Sequence, residues 1–375
     1  MKHYINKNAY ARLQSLEAIN HHWQESLKVR CYENARILPP RKSKLLSGGV
    51  CDSNGYFIED TALHEECYDG SYQYEETEVT VVNRDALFIG SWIGIYGHAI
   101  TDNLKKLWPL MPSNKAQYVE GEGNLDIVYN YLSGEKLPDY IITILSTLGI
   151  DERRLKRIDK VTQYNNVYIP DNGIILRHGV RYYTSEYKAI IRSIVETCNR
   201  YHSIANKIYL TRSKIRDGKD YGEKEIESSF EQKGYLIMSP ESLSFAEQVN
   251  TVNNCRDIVT TEGSVSHNAL FCKEGANLVL LRKYESFNGY QLMINDMNHL
   301  HVTYIDAHHT IKRRNTPWAG PFFLWKTTFL NAYLNDTPNE KTRWISVLWY
   351  KYIVKYLWLC YVRPAMGYAK RVLLK

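Results

Sequence analysis

Lys207-Ile208-Tyr209-Leu210-Thr211, Tyr235-Leu236-Ile237-Met238, Asp257-Ile258-Val259-Thr260, Leu278-Val279-Leu280-Leu281 and His301-Val302-Thr303-Tyr304-Ile305 are five short apolar runs in the second half of the chain. β-Branched and aromatic residues at this density predict strands. The segments between them, 222–232, 244–254, 264–272 and 291–299, predict helices, the second opened by the capping box Ser244-Phe245-Ala246-Glu247. Strand alternating with helix across short connections is the pattern of a doubly wound parallel sheet, an α/β fold. Such a sheet takes its ligands at the carboxyl ends of its strands.

Outward from this stretch the signal weakens. Ala86–Ile95 predicts a buried strand, Ala99–Leu110 a helix stopping near Pro109, Tyr140–Leu148 an apolar helix, and Asn166–Pro170 a short strand. A helix is expected over Ala9–Val29, and Pro39-Pro40 is expected to break the chain before the basic stretch Arg41-Lys42-Ser43-Lys44. The boundary between two domains is expected near 180–206, around a long helix Thr184–Ala205; a chain of 375 residues is too long for one ordinary core.

A hydrophobic content of 44% with 23% charged residues describes a folded chain, not a disordered one. The net charge of +6 favours anionic partners without separating sugar nucleotides, lipid phosphates and nucleic acid. Seven cysteines, with no Cys-x-x-Cys pair, argue against a disulfide framework and for a reducing compartment. No secretory signal is expected from the first residues, and no uncharged apolar run reaches the ~18 residues of a spanning helix.

Three segments hold chemistry. Thr261-Glu262-Gly263-Ser264-Val265-Ser266-His267-Asn268 joins a predicted strand to a predicted helix. Its glycine admits a close ligand, and the amides of a helix start suit a diphosphate; an ordinary turn with Ser264 as N-cap fits the same letters. Thr211-Arg212-Ser213-Lys214-Ile215-Arg216 releases three cations at a strand end, either toward a phosphate or into solvent. Gly97-His98-Ala99-Ile100-Thr101-Asp102 sets a histidine and an acid four residues apart, on one face of a helix, where either can accept a proton from a hydroxyl. His64-Glu65-Glu66-Cys67, His299/His301 and His308-His309 do not assemble a metal ligand set, and there is no Asp-x-Asp pair, Walker loop or Gly-x-Gly-x-x-Gly. The tail from Trp344 to Lys375 mixes aromatic and basic residues, which suits a helix lying in a membrane interface or one closing back over the domains.

The run Ile208-Tyr209-Leu210-Thr211-Arg212, then Phe245-Ala246-Glu247-Gln248, then Glu262-Gly263-Ser264-Val265-Ser266-His267-Asn268-Ala269-Leu270-Phe271, preceded by Tyr96-Gly97-His98-Ala99-Ile100-Thr101-Asp102 through Leu107-Trp108-Pro109-Leu110, resembles glycosyltransferase family 61, and within it the bacterial capsule and O-antigen branch. Many members carry His-Gly where this chain has Glu262-Gly263, so a histidine role does not carry over to 262.

The resemblance implies a GT-B-like pair of Rossmann-like domains, an acceptor-side domain at 1–180 and a nucleotide-sugar-binding domain at 181–312; the aromatic and basic residues of the tail, which the resemblance does not cover, make 313–375 the expected membrane-surface anchor. The resemblance also implies inverting transfer from a nucleotide sugar, UDP-linked by expectation, to a glycan or lipid-linked glycan. The missing Asp-x-Asp pair adds the expectation of a reaction without a metal, and the tail that of a place at the inner face of a bacterial membrane; nucleic acid is not an expected partner. Arg212, Lys214, Arg216, Glu262, Gly263, Ser264, His267 and Asn268 are then the donor-binding candidates. Asp102 is the expected base, from across the cleft, with His98 positioning the acceptor; the reverse assignment stays open. The rival expectation is a basic, membrane-attached scaffold that binds anionic polymer or nucleic acid and catalyses nothing.

Overall fold

Apolar runs flanked by helices must bury both faces, and the five C-terminal runs do so in one sheet. The computed structural model describes residues 2–42, 46–62, 70–112, 114, 125–199, 205–215, 220–309, 320–335, 347–363 and 365–366. The order across the sheet is Leu236–Met238, Lys207–Leu210, Asp257–Thr261, Asn277–Arg282, His301–Asp306, and every pairing is parallel. Numbered along the chain this is 2-1-3-4-5, an order whose direction reverses between the first and third strands. On one face Tyr209, Val259, Leu281 and Ile305 pack with Ile226 and Phe230 of helix Glu223–Glu231 and Leu330 and Leu334 of helix Thr328–Asn335. The alternate residues Ile208, Ile258 and Leu280 are buried as well, as a two-sided parallel sheet requires.

The chain forms two compact units, one of residues 21–199 and one of residues 1–20 with 200–375. The first twenty residues therefore leave the N-terminal span in which the sequence reading put them. The outermost strand, His301–Asp306, has unpaired backbone groups on its free side. Tyr4 supplies partners: its amide donates to the Tyr304 carbonyl and its carbonyl accepts from the Asp306 amide, both at 2.9 Å. Asn6 then caps helix Lys7–Glu17. The helix expected over Ala9–Val29 ends at Glu17, and its second half instead supplies the short strand His22–Trp23 and the start of Val29–Glu33. Nor is 313–375 a separate tail, since Leu330 and Leu334 belong to the sheet core and Phe322–Phe323 pairs with Asp220–Tyr221.

Unit 21–199 holds a second sheet, ordered Val29–Glu33, Asn166–Pro170, Asp85–Trp92, Leu125–Tyr131, Leu155–Arg157, parallel apart from the first strand. Pro39-Pro40 does not break the chain as expected. Strand Arg36–Lys42 runs through both prolines, and its register against Leu46–Cys51 shifts between Leu38 and Arg41. Prolines have no amide to give a ladder, and a bulge removes the need for one. Helix Ser185–Cys198, capped by Thr184, closes this unit.

Candidate active site

The reversal of strand order puts two chain segments side by side at the carboxyl edge of the C-terminal sheet. Strand Lys207–Leu210 runs out into Thr211-Arg212, and its neighbour Asp257–Thr261 runs out into Glu262-Gly263. Gly263 has φ +120°, a conformation that side chains other than glycine's resist. The Ser266 hydroxyl donates to the Gly263 carbonyl (2.8 Å) and accepts from its amide (3.2 Å). The chain then continues as a six-residue 3-10 helix, Ser266–Phe271, and not as the α-helix expected over 264–272. All six of its residues are buried, so there is no solvent face to sustain an amphipathic helix, and Ser266 rather than Ser264 fixes the turn.

Arg212 is half-buried, with its Nε 3.2 Å from Asp220 Oδ2. On the other side of the same carboxylate, the Lys283 ammonium donates to Asp220 Oδ1 at 2.9 Å. Lys283 leaves the end of strand Asn277–Arg282 and is nearly fully buried; a Cβ built on Gly263 would lie 3.5 Å from its Nζ. Arg212, Asp220, Lys283 and Gly263 are thus contiguous, and two segments singled out separately in the sequence become one cationic edge. Lys283 escaped the sequence reading although the Arg282-Lys283 pair at a strand end carries the same signal that marked Arg212. Asp220 had no such signal.

The other donor candidates are placed unevenly. Ser264 is half-exposed beside Gly263, and Lys214 is exposed in the turn after Arg212. Arg216 lies outside the described residues. Glu262, His267 and Asn268 are buried: His267 packs near the Tyr290 ring (5.8 Å), and the Asn268 amide donates to the Val265 carbonyl (2.9 Å). These three expose little or no surface, as does Lys283.

Burial pushes the Glu262 carboxyl up to about 7, against the opposing pull of Arg282 and Lys283. The ordinary value is 4.5, so the folded chain holds this proton more tightly than the unfolded one. The sign follows: this contribution is full below about 4.5 and is lost as pH rises toward 7. Glu262→Gln, which cannot ionise, is expected to remove this falling component, worth up to about 3 kcal/mol by linkage. Denaturant melts of both proteins between pH 5 and 8 check it; parallel curves would mean that Glu262 does not titrate in that window.

In the unit of residues 21–199, strand Asp85–Trp92 leads into the short helix Tyr96–Ile100. The helix expected to run from Ala99 to Leu110 ends at Ile100; turns follow over 101–106, then the 3-10 helix Trp108–Leu110. Side chains stand in for the missing helical bonds. Asn103 donates to the Ile93 carbonyl (3.1 Å) and accepts from its amide (3.2 Å), the Tyr187 hydroxyl donates to the Ile100 carbonyl (2.8 Å), and the Lys106 ammonium donates to the Pro170 carbonyl. Burial lowers the Lys106 pKa to about 7. Within this clamp His98 Nδ1 lies 2.6 Å from Asp102 Oδ2. The two side chains differ in access: His98 is 31% exposed and Asp102 only 6%. A buried carboxylate against one ring nitrogen fixes the imidazole's tautomer and orientation.

No curated protein matches the chain. Residues 96–279 match the family model described as Glycosyltransferase 61, a span that opens on the helix carrying His98 and closes within the strand before Lys283. The match takes in the His98–Asp102 pair, Arg212, Asp220 and the Glu262–Asn268 turn, and it sets aside the non-catalytic scaffold. Through residues 96–279 this chain belongs to glycosyltransferase family 61, and it is a glycosyltransferase.

Proposed function

We propose that this enzyme moves a sugar, with inversion, from a UDP-linked donor to a hydroxyl of a glycan or lipid-linked glycan. We place it in the assembly of a bacterial surface polysaccharide such as capsule or O-antigen, on the cytoplasmic side. The reading includes a GT-B plan, with each of the two units contributing a Rossmann-like domain. It is supported by the parallel strand pairings that dominate the main sheet of each unit.

The observation that carries the reading is the convergence of Arg212, Lys283 and Gly263 at the point where strand order reverses. A diphosphate there meets two cations and a backbone it can approach closely. Both cations also contact Asp220, whose carboxylate holds them side by side. In the transfer, the acceptor hydroxyl gives its proton to His98, which Asp102 orients. The new bond forms between the acceptor oxygen and the anomeric carbon. The bond from that carbon to the phosphate oxygen breaks, its electron pair leaving with the nucleotide. Arg212 and Lys283 stabilise the charge that develops on the diphosphate. The geometry thus favours His98 as base and Asp102 as its orienting partner, the reverse of the order expected from the resemblance.

Protein side chains carry this charge, and the sequence has no Asp-x-Asp pair, so we assign a metal-independent reaction. UDP is expected to raise the melting temperature in the presence of EDTA, with about 2.7 kcal/mol of stabilisation at a hundredfold excess over Kd. A shift that appears only with magnesium or manganese removes the metal-free assignment. No shift with any nucleotide removes the donor site.

A further inference from the structure

We infer that the C-terminal helix is a docking surface for an anionic lipid bilayer. Helix Val347–Leu357 continues as a π-turn, Trp358–Val362, and one side of it is already used: Ile353, Tyr356 and Cys360 pack on Phe323. The other side carries Tyr350, Val354 and Trp358, which are 56%, 64% and 48% exposed. They recur every fourth residue and so form one stripe, extended by exposed Tyr361. A solvated helix with its inner face packed has no reason to present a second apolar stripe.

The charge beside that stripe decides what covers it. Lys351 and Lys355 are exposed along one flank, and Arg363 is exposed at its end. Residues 341–375 hold eight of the chain's 47 lysines and arginines and none of its 41 aspartates and glutamates. The rest of the chain therefore has 39 basic residues against 41 acidic ones, and the whole positive excess lies in this segment. A second copy docking through the same stripe would bring like charges together. An anionic leaflet takes the aromatic and apolar side chains at headgroup depth and pairs the cations with lipid phosphates. Among the described residues no helix is long and apolar enough to cross a membrane, so the geometry is one of lying on the surface.

The full chain is expected to sediment with phosphatidylcholine vesicles containing phosphatidylglycerol and not with phosphatidylcholine alone. Lys351→Gln with Lys355→Gln is expected to weaken this binding about 30-fold, from roughly fivefold per basic residue. Val354→Ser with Trp358→Ser, which leaves every charge in place, is expected to weaken it as well. Melting temperatures equal to the parent's show that both variants fold. Undiminished binding by either folded pair, or equal binding to neutral vesicles, overturns the inference. So does a dimer in size-exclusion chromatography that Val354→Ser with Trp358→Ser converts to monomer, since the stripe is then covered by a second copy. Donor binding is measured separately by the UDP melt, so failure here leaves the proposed transfer intact.

Discussion

His98→Ala is expected to lower turnover by roughly 10²–10⁴ while leaving UDP affinity near that of the parent. The reason is geometric. Asp102 is held almost out of solvent, with Oδ2 2.6 Å from His98 Nδ1, and the imidazole is the more exposed of the two groups. A proton leaving an acceptor hydroxyl is received by the group that the acceptor can reach. Asp102→Asn keeps the shape but loses the charge that stabilises the imidazolium and selects its tautomer. Its turnover is also expected to fall, by less than that of His98→Ala if some rings still present the correct nitrogen. Donor contacts are assigned to Arg212, Lys283 and Gly263, so nucleotide affinity separates loss of the base from loss of the site. The measurement is turnover and UDP affinity for both variants, with folding followed by melting. If both keep near-normal turnover, the base is elsewhere. If Asp102→Asn is inactive and His98→Ala is not, the roles are those first expected from the resemblance.

Removing the Lys283 charge is expected to act twice. Lys283→Met takes a cation from the donor site and should weaken UDP binding by about 1.5–3 kcal/mol, the worth of a charge-assisted hydrogen bond. Arg212→Ala is expected to fall in the same range. Lys283→Met also leaves buried Asp220 with, among the described residues, the Arg212 ion pair alone, and breaking a buried pair from one side costs about 3–5 kcal/mol of stability. The two effects are separable. Adding Asp220→Asn to Lys283→Met removes the orphaned carboxylate, and stability should recover while UDP affinity stays low. Denaturant melts and calorimetry on the single and double variants check this. Affinity that recovers along with stability would show that Lys283 only supports the fold.

Local pattern determined a definite part of this protein. The strands near 207–211, 235–238, 257–260, 278–281 and 301–305 were legible because each is a contiguous apolar run between helical segments, and the capping box at Ser244 and Glu247 formed as written. The His98/Asp102 pair was legible because two residues four apart meet within one turn, wherever that turn sits. The family, too, was legible in short motifs taken in order. Failures came where a remote partner replaced a local one. Tyr4 is a strand residue only because the edge of His301–Asp306 needs it, and Pro39-Pro40 stay in a strand only because its partner slips register. Residues 266–271 wind as a 3-10 helix because burial on all sides takes away the polar face an α-helix would show. Lys283 and Asp220 lie 63 positions apart and meet through strand order. Order within a sheet depends on which faces and edges are free after every element has packed, and no window of neighbouring residues contains that information. The sequence alone therefore supplied the parallel sheet and most of the reactive side chains. Tertiary structure decided which of them share a carboxylate, which are buried, and which face solvent.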